Sequence, residues 1–347
     1  MKELLILNDV SPDNSIGGQA TFLRNIIPYI NQHYKTRLLT LPTFYLSINF
    51  LPRRLLYLLF LVSKTEIIRK SPLIFSNSPE ASYFVSLINP QSLIHIFHGN
   101  TNPVTTSKFW YGKYFKFVFN FFDEKIIEKA KFCFTVGENR ANTIKIIQPI
   151  DRRIIDLIPE SQVQKNLLFV GRLEEVKQLD KIIRYFYKFI EENNYAENLI
   201  ICGEGIKNNE LRKLVSDLNI KERVIFTGKC SYEEVIRLMK SSKILLLASL
   251  YEGFPMVIAE ALCCGLPVIS TDVGSISDIV VDNYNGFLLE KGYTDKEYCS
   301  SIIKVLNNFD RFSNNAINSA TIFDANFLVS HTFKVFFDEK KKQEFKI

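Results

Sequence analysis

The 347-residue sequence predicts an α/β protein built from two doubly wound, Rossmann-like domains. Three observations carry that reading. Short apolar runs alternate with longer amphipathic stretches through both halves of the chain, which is the βαβ rhythm of a parallel sheet. The rhythm breaks once, at the polar, Pro-punctuated stretch IQPIDRRIIDLIPESQVQKN, so a hinge and an interdomain cleft are expected near residue 160. A chain of 347 residues also exceeds one ordinary core but suits two domains of about 150 residues or more.

In the first half, ELLIL, TRLLTL, SPLIFS, SLIHIF and KFCFTV read as buried strands. In the second half NLLFV, NLIIC, RVIFTG, KILLLAS, LPVIST and GFLLE do the same, divided by helical segments such as LDKIIRYFYKFIEEN. The expected domains are residues 1–160 and 161–325. The Phe-rich, then Lys-rich tail of residues 326–347 is expected to form a last helix that crosses back to the first domain.

Composition excludes several classes. Hydrophobic residues at 47% and charged residues at 23% are near globular averages and argue against wholesale disorder. The best candidate for a membrane span, LLYLLFLVS after Arg53 and Arg54, falls well short of the roughly 20 apolar residues required. The start, MKELLILNDV, has the pattern of a buried strand and not of a signal peptide, so cytoplasmic residence is expected. Six cysteines without C-x-x-C spacing read as reduced, buried thiols, and no zinc is expected.

Charge is unevenly spread. The net +6 resolves into 17 Lys and Arg against 9 Asp and Glu in residues 1–150, with a slightly acidic remainder. The stretch KFWYGKYFKFVFNFF (Lys108 to Phe122) interleaves this basic charge with aromatics. Two readings stand open: a helix whose Phe face is core and whose lysines are solvated, or one that lies on an anionic membrane surface or holds an anionic acceptor. A nucleic-acid partner is not expected.

In open α/β sheets ligands bind at the carboxyl ends of the strands, so the loops after the apolar runs carry the chemistry. After ELLIL, a polar loop ends in Gly17 and Gly18 at the start of a helix, where backbone amides can approach an anion. After NLLFV, Gly171 and Arg172 leave the strand and Lys177 precedes the next helix; this pair of cations suits a diphosphate. After KILLLAS, Glu252 and Gly253 form a turn, and Pro255 opens a helix whose first amides, at Met256 and Val257, point at the same place. Glu260 stands one turn further on, inside the apolar run MVIAEALCCGLPV, where a buried carboxylate needs a partner. The two glutamates could accept hydroxyls from two sugars of one ligand. In SLIHIFHG, His95 and His98 are an odd spacing apart and point to opposite sheet faces, which rules out a simple metal pair; His98, at the strand's carboxyl end, should face the cleft.

Taken in order, the GG loop, VGRLEEVKQLD, ICGEG, RVIFTG, YEGFPMVIAEALCCGLPVI and NYNGFLL resemble the retaining glycosyltransferases of family 4, of bacterial surface-polysaccharide type, which have the GT-B fold. The resemblance is dense in the second half and sparse in the first. It implies that Arg172 and Lys177 contact the diphosphate of a nucleotide-sugar donor, Glu260 the ribose and Glu252 the transferred sugar, within a segment that includes Gly253, Phe254, Met256 and Val257. It also implies that Gly203, Gly205, Thr227 and Gly228 border the base. From the first domain, Gly17 and Gly18 would approach the phosphates and His98 the sugar.

The implied reaction is retaining transfer of a hexose-type sugar from a nucleotide-diphosphate sugar, with UDP-sugar favoured over GDP-sugar, to a glycan or lipid-linked saccharide in O-antigen or capsule assembly. No cofactor or metal is expected: the sequence has no Asp-x-Asp, and fixed cations suit the leaving diphosphate. The rival readings are a sugar-nucleotide epimerase or phosphorylase on the same architecture, or an inactive relative that serves as a membrane assembly partner.

Overall fold

The computed structural model describes residues 1–9, 11, 18–42, 53–98, 112–136, 140–161, 165–193, 195–252 and 254–338. The chain divides into two compact units: Met1–Pro149 with Ala325–Ile347, and Ile150–Asp324.

The first unit holds a parallel sheet of β1 (Lys2–Leu7), β2 (Tyr34–Leu39), β3 (Ile74–Ser76), β4 (Leu93–His98), β5 (Phe132–Val136) and β6 (Ile144–Ile146), in the order β2-β1-β3-β4-β5-β6. Its helices are α1 (Gly18–His33), α2 (Arg53–Val62), α3 (Thr65–Lys70), α4 (Pro79–Ile88) and α5 (Gly112–Lys129). The sheet is covered on both faces, which is why its strands are continuously apolar. Leu4 and Ile6 enter one core with Phe22 of α1, while Leu5 and Leu7 enter the other with Tyr57 of α2 and Val85 of α4. Five of the six strands were legible as apolar runs; β6 has only three residues, at the sheet edge, with one of them buried.

Helical residues 325–338 return to this unit. Val329, Phe333 and Phe336 lie in the α1-side core, with the Phe333 ring 5.2 Å from Phe134 and 5.7 Å from Phe75. The Phe spacing of the tail thus has an internal cause. In α5 the aromatics divide: Phe122 stacks on Tyr83 at 4.3 Å, whereas Phe117 and Phe121 are exposed. Neither a wholly internal nor a wholly external Phe face describes the helix.

The second unit begins with α6 (Arg152–Leu157) and contains β7 (Asn166–Val170), α7 (Leu179–Glu192), β8 (Leu199–Cys202), α8 (Asn208–Asp217), β9 (Val224–Gly228), α9 (Tyr232–Lys240), β10 (Ser242–Leu246), α10 (Met256–Cys263), β11 (Val268–Thr271), β12 (Gly286–Leu289), α11 (Asp295–Asn307) and α12 (Phe309–Ser319). The parallel order is β12-β11-β10-β7-β8-β9. The chain runs outward from β7 to β9, then crosses back to β10 on the other side of β7. The switch point therefore lies between the carboxyl ends of β7 and β10, which is where an open sheet receives a ligand.

The boundary between the units falls at Pro149 and Ile150, earlier than the hinge expected near residue 160. Ile150 donates its amide to Phe323 at 2.7 Å. Further along, the buried Lys240 ammonium donates to the Ile158 carbonyl at 2.6 Å and pairs with Glu160 at 2.9 Å. An ammonium taken out of water requires such acceptors, and they tie residues 150–160 to the second unit.

Candidate active site

The loop that leaves β7 is shaped by its neighbours' backbones. Gly171 donates to the Cys202 carbonyl at 3.0 Å, Leu173 to Glu204 at 2.9 Å, and Lys207 returns to Leu173 at 3.0 Å. A Cβ on Gly203 would stand 1.9 Å from the Gly171 carbonyl oxygen, and one on Gly205 2.3 Å from that of Leu173. Gly203 also holds φ +142°, a conformation side chains rarely adopt. These two glycines let two loops lie against each other, and Arg172 rides on the loop they seat.

Lys177 closes a short 3-10 turn, after which Gln178 takes a left-handed conformation before α7. The turn is joined to the β10 loop by a hydrogen bond from the Leu250 amide to the Val176 carbonyl at 2.8 Å. That bond brings Lys177 onto Glu252, with Nζ 2.5 Å from Oε1 and side-chain exposures of 17% and 10%. Ser249 Oγ donates to the same carboxylate oxygen at 2.8 Å, and Thr271 Oγ1 holds the Ser249 carbonyl at 2.7 Å. Glu252 is therefore locked in place. Arg172 is different: its side chain is 72% exposed and, among the described residues, pairs with the neighbouring Glu174 at 2.7 Å. Its guanidinium is available to an incoming anion.

The helix α10 starts immediately after Pro255, and Glu260 occupies its second turn. Among the described residues the Glu260 carboxyl has no hydrogen bond or ion pair, contrary to the partner expected for it. Burial instead pushes its pKa up to about 8, so the proton itself removes the charge near neutral pH. Glu260 lines a pocket of about 500 Å³ together with Arg172, Lys177, Glu252, Phe254, Met256 and Val257. The switch point thus gathers two cations, two carboxyl groups and the amino-terminal end of a helix.

Other expected residues lie elsewhere. Thr227 lines an adjoining pocket of about 590 Å³, and Cys230 lines both. Gly228 has φ +75° and accepts the Gly203 amide at 2.9 Å, so it belongs to the loop scaffold. Gly18 starts α1 in the first unit, while Gly17 and Gly253 lie outside the described residues. His98 ends β4 in the first unit; its ring meets Phe22 edge-on at 5.4 Å, and burial lowers its pKa to about 4. Among the described residues its buried Nε2 has no hydrogen-bond partner. His95 sits on the opposite face, where its Nδ1 meets Ser82 Oγ at 2.6 Å.

Sequence reasoning missed Ser249 and Thr271, which fix Glu252, and Glu174, which answers Arg172. Ser249 had a faint signal as the polar end of KILLLAS. Tyr232 and Val235 of α9 also line the pocket, but nothing in their own segment pointed to it.

Residues 153–321 match the family model described as glycosyl transferases group 1. The N-acetyl-alpha-D-glucosaminyl L-malate synthase of Bacillus anthracis is 33% identical over 39% of this chain and 34% of its own length. The UDP-Gal:alpha-D-GlcNAc-diphosphoundecaprenol alpha-1,3-galactosyltransferase of Escherichia coli is 31% identical over 34% of this chain and 30% of its own. The matched part spans about a third of each of these relatives. The Anabaena Alr3699/HepE structure in complex with UDP superposes with a TM-score of 0.67 at 16% identity, covering 96% of this chain and all of that one, a likeness of fold. With its two parallel six-stranded sheets the chain has the GT-B α/β fold. Over residues 153–321 it is similar to the glycosyl transferases group 1 family.

Proposed function

We propose that this chain is a glycosyltransferase that moves a hexose-type sugar from a nucleotide-diphosphate sugar to a glycan or lipid-linked saccharide acceptor in surface-polysaccharide assembly. The observation that carries the proposal is the pocket at the β7/β10 switch point, which holds Arg172, Lys177, Glu252, Glu260 and the start of α10 together.

Cleaving the bond between an anomeric carbon and a diphosphate builds negative charge on the phosphate oxygens and positive character on the sugar. Arg172, Lys177 and the first amides of α10 answer the former. Such charge makes the proposed reaction metal-independent. Glu252, held by Ser249 and Lys177, accepts hydroxyls of the transferred sugar. Burial raises the Glu260 pKa to about 8; ribose hydroxyls that donate to it favour its carboxylate, so donor binding releases its proton. The roles that family resemblance gives Gly17, Gly18 and His98, and the retention of anomeric configuration, belong to the same proposal. The names of the UDP-Gal-dependent relative and of the UDP complex favour a UDP-sugar.

The test is nucleotide release from UDP-, GDP-, ADP- and dTDP-sugars with and without glycan acceptors. Acceptor-dependent release is expected from one of them. Acceptor-independent interconversion of sugar nucleotides would overturn the transferase reading in favour of an epimerase, and absence of any nucleotide-induced rise in melting temperature would remove the donor site itself.

A further inference from the structure

Cys202 and Cys230 come from the ends of neighbouring strands. Cys202 closes β8 and stands, in the β8–β9 register, opposite Gly228, the last residue of β9. The Gly203 amide donates to the Gly228 carbonyl at 2.9 Å, so the chain just past Cys202 is fastened to the chain just before Cys230. Cys230 turns back onto this junction: its Sγ donates to Thr227 Oγ1 at 3.2 Å and lies 3.8 Å from the Gly228 carbonyl oxygen. The Cys202 thiol reaches the same Thr227 hydroxyl and is hydrogen-bonded to the Cys230 thiol itself.

The two thiols differ in access. Cys202 is 2% exposed, and burial above all pushes its pKa up to about 11, so it stays protonated. Cys230 is the one of the six cysteines that is not buried, and it lines both the pocket of Arg172 and Lys177 and the adjoining one of Thr227. A small oxidant entering either pocket therefore meets Cys230 first, with a second thiol already against it. An accessible sulfur backed by a resolving thiol is the arrangement that reversible thiol oxidation needs.

We propose that Cys230 and Cys202 form a peroxide-sensitive modification site, in which oxidation closes a disulfide at the wall of the pocket. In the first step the Cys230 sulfur attacks hydrogen peroxide. An S–O bond forms, the O–O bond breaks, and the displaced oxygen leaves as water, so the sulfur gives up two electrons and becomes a sulfenic acid. In the second step the Cys202 sulfur attacks Cys230: an S–S bond forms, the S–O bond breaks, and the hydroxyl leaves with the Cys202 proton as a second water. The dithiol thus loses two hydrogens and the peroxide ends as two waters.

The consequence for the pocket rests on the donor reading above. The Cys202 carbonyl holds the Gly171 amide at 3.0 Å, at the root of the loop that carries Arg172. Drawing the sulfurs together takes Cys230 off the Thr227 hydroxyl and shifts both this root and the wall between the two pockets, so oxidation lowers nucleotide affinity.

Peptide mass mapping of the full chain after hydrogen peroxide, with the remaining thiols alkylated in denaturant, tests the site without nucleotide. A cross-linked peptide pair joining Cys202 to Cys230 is expected and should disappear on reduction with dithiothreitol, while Cys133, Cys263, Cys264 and Cys299 are recovered alkylated. Cys202→Ala should instead leave a Cys230 sulfenic acid that dimedone traps. In titrations of wild type, UDP affinity should fall by about tenfold or more on oxidation, the scale of one lost charge-assisted contact, and return on reduction. Three results would overturn the proposal: no cross-link between these two residues in wild type, oxidation of the buried cysteines ahead of Cys230, or a cross-linked chain that binds UDP like the reduced one. UDP binding by the reduced chain, measured on the same preparations, separates failure of this modification site from failure of the donor site.

Discussion

Lys177 and Glu252 are 75 positions apart in sequence and 2.5 Å apart in the structure, joined at the switch point of the second sheet. In the proposed reaction, the cation that would meet the diphosphate is already held by the carboxylate that would meet the sugar. A donor that brings both groups can separate the pair without leaving either charge unanswered.

Lys177→Ala should therefore lower the transfer rate by about 10²-fold or more through loss of leaving-group stabilisation. It should also destabilise the second unit by about 1–3 kcal/mol, because Glu252 keeps its partly buried charge and loses its cation. Lys177→Ala with Glu252→Gln should recover part of the stability and none of the rate. Thermal melts and initial rates on the four-member cycle check this.

Arg172→Ala should behave differently. Its guanidinium is exposed and paired only at the surface, so melting should shift little while the rate falls by about 10²-fold. A large fall in melting temperature would mean that Arg172 supports the loop instead of the ligand.

The Glu260 carboxyl has an ordinary value of 4.5 and is pushed up to about 8 in the folded chain. Between these values the folded state binds more protons than the unfolded one, so this group's contribution to stability falls as pH rises from 4.5 to 8. Glu260→Gln should flatten that part of the stability–pH profile. Nucleotide binding should release a proton near pH 7, seen as a buffer-dependent calorimetric heat that Glu260→Gln abolishes.

Gly205→Ala should cost about 2–3 kcal/mol and weaken nucleotide binding together, since the new Cβ would collide with the Leu173 carbonyl and displace the loop carrying Arg172. Gly292→Ala, at a positive φ but with open space around it, should be milder and leave nucleotide binding intact. Melting curves and UDP titrations compare the two.

His98 is lowered to about 4 and His95 to about 3, both chiefly by burial, so both are neutral across the physiological range. His98→Ala should reduce transfer without unfolding the chain, and neither ring should contribute a titration to the rate between about pH 6 and 8. His95→Ala should act on stability, through the cavity left in the core and the lost Ser82 contact.

The repeated apolar runs, the two sheets and the positions of Arg172, Lys177, Glu252 and Glu260 at loops and a helix mouth were legible because burial imposes a local pattern. The three-residue edge strand β6 was not, since so short a segment with one buried residue leaves hardly any pattern. Nor was the earlier boundary between the units: proline and polar residues mark a break in regular structure, but they do not say which core the broken segment is tied to. That depended on Lys240 reaching the Ile158 carbonyl from 82 positions away.

The sequence by itself determined the fold class, the family resemblance and which side chains could answer a diphosphate, because periodicity and residue chemistry are properties of neighbours along the chain. Tertiary structure alone decided that Lys177 rests on Glu252, that burial raises the Glu260 pKa, that Gly203 and Gly205 serve loop contact, and that Leu55, Leu59 and Val62 of α2 are exposed. These depend on desolvation and on distances between remote segments, which only the packed chain defines.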